Sequence, residues 1–269
     1  MIESTSNKQV RHVVALNSKG KLRKEEGLYV AEGLRICREY RPEDLHALYV
    51  TPSFEKENRE WLSSFSYETV SEEVMRVMAD TKTPQGVLAV ARQKNLTLEQ
   101  LLERSRDGGL FMILEQLQDP GNLGTILRAG EGAGVTGLIM SSDTADIYNP
   151  KVIRSTMGSI LRVPFAYTED LPSACLKMKQ NGIRLFAAHL QGSVSYDREN
   201  YCGSTAFLIG NEARGLTDEL AALADARIRI PMAGQVESLN AAVAASVLMF
   251  EAARQRRMQT AEMQTAETD

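Results

Sequence analysis

The chain has 269 residues, 43% hydrophobic and 25% charged, which are ordinary values for a globular protein of one large or two modest domains. Thirty-one basic residues stand against 35 acidic ones, a net charge of −4, so a globally basic nucleic-acid coat is excluded while a local basic patch is not. Aromatic residues at 6% argue against a surface of base-stacking platforms, and neither Cys37, Cys175 and Cys202 nor His12, His46 and His189 fall at disulfide-framework or metal-ligand spacing.

The N-terminal MIESTSNKQV is polar rather than a signal peptide, and no apolar run reaches the ~20 residues of a membrane span, so a cytoplasmic address and no membrane partner are expected. Residues 1–24 are the most basic stretch: Lys8, Arg11, Lys19, Lys21, Arg23 and Lys24 face Glu3 alone. Such a run is either a solvated face or a patch that tracks phosphates, with Lys8, Arg11, Lys21, Arg23 and Lys24 as its contacts. Apolar runs at Leu28–Ala31, Ala47–Thr51 and Gly86–Ala91 read as strands of a small α/β unit spanning 1–95. Residues 96–108 read as a helical connector ending at Gly108 and Gly109.

A second unit is expected over 109–257. Strand-length runs at Leu110–Leu114, Gly137–Met140, Arg184–Ala188, Ala206–Ile209 and Arg227–Ile230 alternate with helical stretches near 150–161, 170–181, 214–223 and 238–255. That alternation predicts an α/β fold with a parallel sheet covered on both faces. In the last helix Leu239, Val243, Val247 and Phe250 recur at helical spacing, and small residues crowd the other faces. The polar duplication MQTAE-MQTAE falls in 258–269, which reads as a frayed, disordered tail.

Three loops leave the C-terminal ends of predicted strands, where ligands collect in open α/β sheets. The first, Glu115–Gly124, runs into a helix carrying Arg128, with Asn122 as either an N-cap or an active amide. Its order, with Asp143 about twenty residues on, invites a dinucleotide reading, but the triple-glycine spacing is missing. The second is Gly210-Asn211-Glu212-Ala213-Arg214-Gly215-Leu216, where Gly210 would let a ligand press on the backbone and Glu212 precedes a helix. The third, Ile230–Asn240, opens the last helix with Ser238 as expected N-cap and Asn240 oddly placed inside the first turn.

Taken together and in order, Asn-x-Gly-x-x-x-Arg from Asn122, Gly-Asn-Glu-x-x-Gly-Leu from Gly210, and Ile-Pro-Met-x-Gly from Ile230 followed by Ser238-Leu239-Asn240 closely resemble the SpoU (TrmH) family of RNA ribose 2′-O-methyltransferases in the SPOUT superfamily. The resemblance covers about residues 110–255 and includes Ile153–Gly158, IRSTMG. The first unit resembles the family's small RNA-binding domain, including Tyr29-Val30-Ala31-Glu32-Gly33. The resemblance implies a deep trefoil knot in the C-terminal domain and S-adenosylmethionine held there by Gly210, Ile230, Met232 and Leu239. It places Asn122, Arg128, Glu212, Ser238 and Asn240 on the catalytic positions, and it implies a homodimer formed through that domain.

A ribose hydroxyl must lose a proton to attack a sulfonium methyl, so the protein has to align the reactants and manage that proton. For an ordinary arginine, release of a proton at pH 7 spans ~5.5 pH units, roughly 7.5 kcal/mol. Two roles for Arg128 therefore stay open: general base, or cationic clamp on the alkoxide and phosphate. Ribosomal RNA is the preferred substrate. A transfer-RNA methyltransferase, or a non-catalytic RNA-binding protein retaining the fold, is the alternative.

Overall fold

The computed structural model describes residues 1–104, 108–192 and 194–266. They form two compact units, one of residues 1–94 with 146–158, the other of 95–145 with 159–269. The first unit thus takes Asp146–Gly158 from a stretch whose sequence pattern places it in the second.

The first unit carries a mixed sheet of β1 (Leu28–Glu32), β2 (Leu45–Val50), β3 (Glu68–Thr69) and β4 (Val87–Arg92), in the order β1-β4-β2-β3. β4 lies between β1 and β2, antiparallel to both, and its residues Val87–Ala91 are all buried. Helix Lys8–Ser18 starts where the Asn7 side chain accepts from the Gln9 amide. Its Val10, Val13 and Leu16 pack with Val74, Met75 and Met78 against Val30, Leu88 and Val90. Tyr148 lies over Tyr29 at 4.5 Å between ring centroids and donates to the Lys94 carbonyl, so the 146–158 segment completes this core.

Arg23 corrects the sequence reading. It belongs to the basic run but is only 3% exposed. Its guanidinium donates to Asp146 at 2.8 and 2.6 Å and to the Leu16 and Asn17 carbonyls. A guanidinium this buried, making four hydrogen bonds within the protein, is a structural brace rather than a phosphate contact. Lys8, Arg11, Lys21 and Lys24 remain exposed.

The second unit holds seven strands: β5 (Leu110–Leu114), β6 (Gly137–Ser141), β7 (Phe165–Thr168), β8 (Arg184–Ala188), β9 (Val194–Ser195), β10 (Thr205–Ile209) and β11 (Ala226–Arg229). They lie in the order β7-β6-β5-β10-β8-β11-β9, and every pairing is parallel. The central strands β5 and β10 are buried at all five positions, as a sheet covered on both faces requires. No helix among the described residues is long and apolar enough to cross a membrane.

Helix Pro120–Ala133 begins at an Asp119 cap with proline in its first turn and ends at Gly134 in the left-handed region. The last helix, Ala241–Ala266, packs on it: a Cβ at Gly130 would sit 3.6 Å from Met249 Sδ and one at Gly132 3.5 Å from Phe250. That helix buries Ala242, Ala245, Leu248, Met249 and Ala252, whereas Val243 and Phe250 stand exposed. The buried face is therefore built from Ala242, Ala245 and Ala252 with Leu248 and Met249, and not from the expected Val243 and Phe250; its alanines allow the close approach. The helix also runs on to Ala266 through the repeat expected to fray, since Met, Gln, Ala and Glu are strong helix formers. Within the expected tail and connector, residues 267–269 and 105–107 lie outside the described residues.

Candidate active site

The three loops converge at the C-terminal edge of β5, β10 and β11. Gln116, just after β5, has φ of 52°, in the left-handed region that a non-glycine residue rarely adopts. Its amide donates to Ser141 Oγ, and its carbonyl accepts from the side chains of Asn211 and Gln118. The turn is thus fixed from both neighbouring loops. Strain held this firmly is typical of a functional site.

Glu212 is the centre of the arrangement. Its carboxylate accepts from the Gln118 amide at 3.0 Å, the Asp119 amide at 2.9 Å and the Asn122 side chain at 3.0 Å. Burial alone would raise this carboxyl, but those three donors outweigh it and hold the group below the usual glutamate range. Asn122 in turn accepts from Asn240 Nδ2 at 2.9 Å. Asn240 Oδ1 takes the amides of Ala242 and Val243. Asn240, not Ser238, therefore caps the last helix, which explains an asparagine that seemed misplaced within a first turn. Likewise Asp119 rather than Asn122 caps the preceding helix, which leaves Asn122 free to link the two other loops.

The structure thus brings Asn122, Glu212 and Asn240 into one hydrogen-bonded chain. Arg128 lies on the same helix as Asn122, exposed, and has no hydrogen-bond or ion-pair partner among the described residues. Ser238 is exposed in the third loop, bonded to none of the others.

Gly210 has a different reason from the one its position suggested. A Cβ there would meet Gly215 C at 2.1 Å and Leu216 N at 2.2 Å. The loop's own backbone presses on it, through paired bonds between Asn211 and Gly215 of 3.1 and 2.8 Å. Glu115 was missed in the sequence: it is buried and accepts from the Thr217 amide and hydroxyl at 2.8 and 2.7 Å, anchoring the far end of this loop. Its only sequence signal was an acidic residue directly after a fully apolar strand.

In the third loop Ile230, Met232 and Leu239 are partly buried. The amides from Met232 to Leu239 have no hydrogen-bond partner among the described residues. Donors left open beside apolar side chains can take a ligand that carries both hydrogen-bond acceptors and apolar surface. No group of three His, Cys, Asp or Glu among the described residues is placed to hold a metal ion.

A parallel sheet with three interlinked loops gathered at the C-terminal ends of its strands is the ligand-binding arrangement of an open α/β protein. The chain belongs to the SpoU rRNA methylase family, whose pattern matches residues 109–250, and residues 7–89 match the MRM3-like substrate binding domain. A Synechocystis protein named an uncharacterised tRNA/rRNA methyltransferase is 34% identical over 95% of this chain and 94% of its own. The Bacillus subtilis 23S rRNA (guanosine(2553)-2′-O)-methyltransferase is 33% identical over 67% of this chain and 70% of its own. The solved rRNA methyltransferase of Sinorhizobium meliloti with AdoMet bound superposes with a TM-score of 0.82 at 32% identity, over 94% of this chain and 97% of that one. This family membership answers the dinucleotide reading of the first loop.

Proposed function

We propose that the chain methylates a ribose 2′-hydroxyl of ribosomal RNA with S-adenosylmethionine. The observation that carries this reading is the Glu212–Asn122–Asn240 chain, which ties three loops together at the start of the helix that carries Arg128, an arginine with no partner among the described residues. When bound, S-adenosylmethionine supplies a methyl group already activated by its sulfonium charge. The unpaired amides of the third loop, with Ile230, Met232 and Leu239, hold it, and Gly210 sets the shape of the loop beside it.

Asn122 and Asn240 orient the reacting ribose, and Glu212 fixes the first loop at two backbone amides. Arg128 meets the hydroxyl and its flanking phosphate, as base or as cationic clamp. Ser238 holds the third loop once the site is filled. The exposed cations Lys8, Arg11, Lys21 and Lys24 follow the RNA backbone, residues 1–95 serving as substrate-binding domain and 109–257 as catalytic domain. The resemblance of the three loop motifs to the family supports a knotted topology, and the exposed Val243 and Phe250, 48% and 46% accessible, support a homodimer through the last helix. The proposed address is cytoplasmic.

The test is transfer of labelled methyl from S-adenosylmethionine to separated pools of unmodified ribosomal and transfer RNA, with Arg128→Ala alongside. Ribose label in the ribosomal pool, lost in the variant while cofactor binding persists, is expected. Label in transfer RNA alone overturns the substrate class. No label in either pool or in ribosomal particles, from protein that binds the cofactor, overturns the activity in favour of an RNA-binding module.

A further inference from the structure

Two segments that stand out in the sequence, Tyr29–Gly33 and Ile153–Gly158, meet in the first unit. They wall a cavity of about 390 Å3, within the ~300–1,000 Å3 of ligand-sized pockets. Ile36, Ile153 and Met157 give it an apolar side. Met157 has φ of 52° and is followed by Gly158 at 95°, so a non-glycine residue is held in the left-handed region where helix Pro150–Thr156 ends at this wall. An ordinary helix C-cap would use glycine there.

The polar side is fixed from behind. The Glu32 carboxylate accepts from the Asp80 and Thr81 amides and the Thr81 hydroxyl. Gln85 Oε1 accepts from the Leu34 amide at 2.9 Å. That bond leaves the Gln85 NH2 as a donor on the cavity wall, without a partner among the described residues, as are the Thr83 hydroxyl and the exposed Arg35 guanidinium. Arg154 pairs with Asp80 at the rim. An apolar wall for a ring, a locked amide donor for a base carbonyl and a free guanidinium for a phosphate are the parts that read an unstacked nucleotide.

We infer that this cavity is a second RNA subsite, which takes one unpaired nucleotide of the substrate strand away from the methylated ribose. This rests on the reading of the chain as an RNA methyltransferase. The shared ligand chemistry is a nucleobase with its phosphate, and the source to which we commit is the RNA strand rather than a free nucleotide.

The test uses the full-length protein and an in vitro transcript of 23S ribosomal RNA. Gln85→Glu keeps the acceptor for Leu34 and deletes the donor; Arg35→Gln deletes the cation; Met157→Gly removes the apolar wall while relieving the backbone. Each should raise KM for the transcript about tenfold, the scale of one lost polar or stacking contact, with kcat and cofactor affinity within about twofold of wild type. In the wild type, a 4-thiouridine transcript should photo-cross-link to the peptides carrying Gln85 or Met157. Unchanged KM in all three variants, cross-links only elsewhere, or competition by nucleoside monophosphates equal to that by the strand would overturn the inference. Failure of the methyltransferase reading is distinct: the wild type would transfer no methyl, and the cross-link would still report the subsite.

Discussion

Asn240 donates its side-chain amide to the Asn122 carbonyl oxygen at 2.9 Å across 118 positions of chain, while its own carbonyl oxygen caps the last helix. One residue therefore serves both helix and site, and two substitutions separate the roles. Asn240→Asp keeps the cap and loses the donor: its melting temperature should stay near wild type while kcat/KM falls at least about tenfold, or ~1.4 kcal/mol. Asn240→Ala should lose the same activity and in addition about 1 kcal/mol of stability with the cap. Wild-type kcat/KM in Asn240→Asp would remove this contact from the mechanism.

Glu212 has a carboxyl held below its ordinary range, so its sign in a pH profile is fixed. A group whose folded value is depressed stabilises fully above the unfolded value, near pH 4.3 for glutamate, and loses that contribution as pH falls through the folded value. Glu212→Gln should therefore flatten the acid limb of the denaturation curve below about pH 4.3. A limb identical to wild type, measured by urea unfolding across that range, would show that the carboxylate adds nothing there.

Gly210→Ala places a methyl where Gly215 C lies 2.1 Å away. The backbone must move, and a loss of about 3 kcal/mol or more, or failure to accumulate folded protein, is expected. Gly234→Ala, whose Cβ would meet nothing within 4 Å, is the control and should leave the melting temperature unchanged. Equal stability of both variants would contradict the close backbone approach at Gly210.

Arg23 and its exposed neighbours should part company in RNA binding. Arg23→Ala leaves Asp146 without its partner and strips two carbonyls of a donor, a loss of about 2–3 kcal/mol once the partial exposure of Asp146 is allowed for. The salt dependence of RNA binding by the remaining folded protein should not change. Replacing Lys8, Arg11, Lys21 and Lys24 together should lessen the slope of log K against log salt by up to about 3. An unchanged slope would place the RNA track on another face.

The central strands were legible because they are fully buried apolar runs: β5 lies where Leu110–Leu114 predicts it, and β10 and β8 depart by a residue or none. β7, β9 and β3 were not, since short strands of two to four residues carry too little pattern to separate from loop. Ordered motifs singled out the candidate site residues, yet the bonding among them was not legible. Asn122 and Asn240 exchange roles with Asp119 and Ser238 at the helix starts, a choice that depends on contacts made 90 and 118 positions away. Arg23 looked like its lysine neighbours because its partner Asp146 is 123 positions distant.

The return of Asp146–Gly158 to the first unit also sets an order of events during synthesis. When β4 leaves the ribosome, Arg23 still lacks its carboxylate and Tyr29 the ring that covers it. The roughly fifty residues Asn95–Ala145 must follow, some 3–10 seconds at about 5–20 residues per second, before either arrives. The N-terminal domain is therefore not finished first and then joined to the rest. It waits, partly open, on the early strands of its neighbour, so a nascent chain arrested near residue 95 should be sensitive to protease where one extended past residue 158 is not.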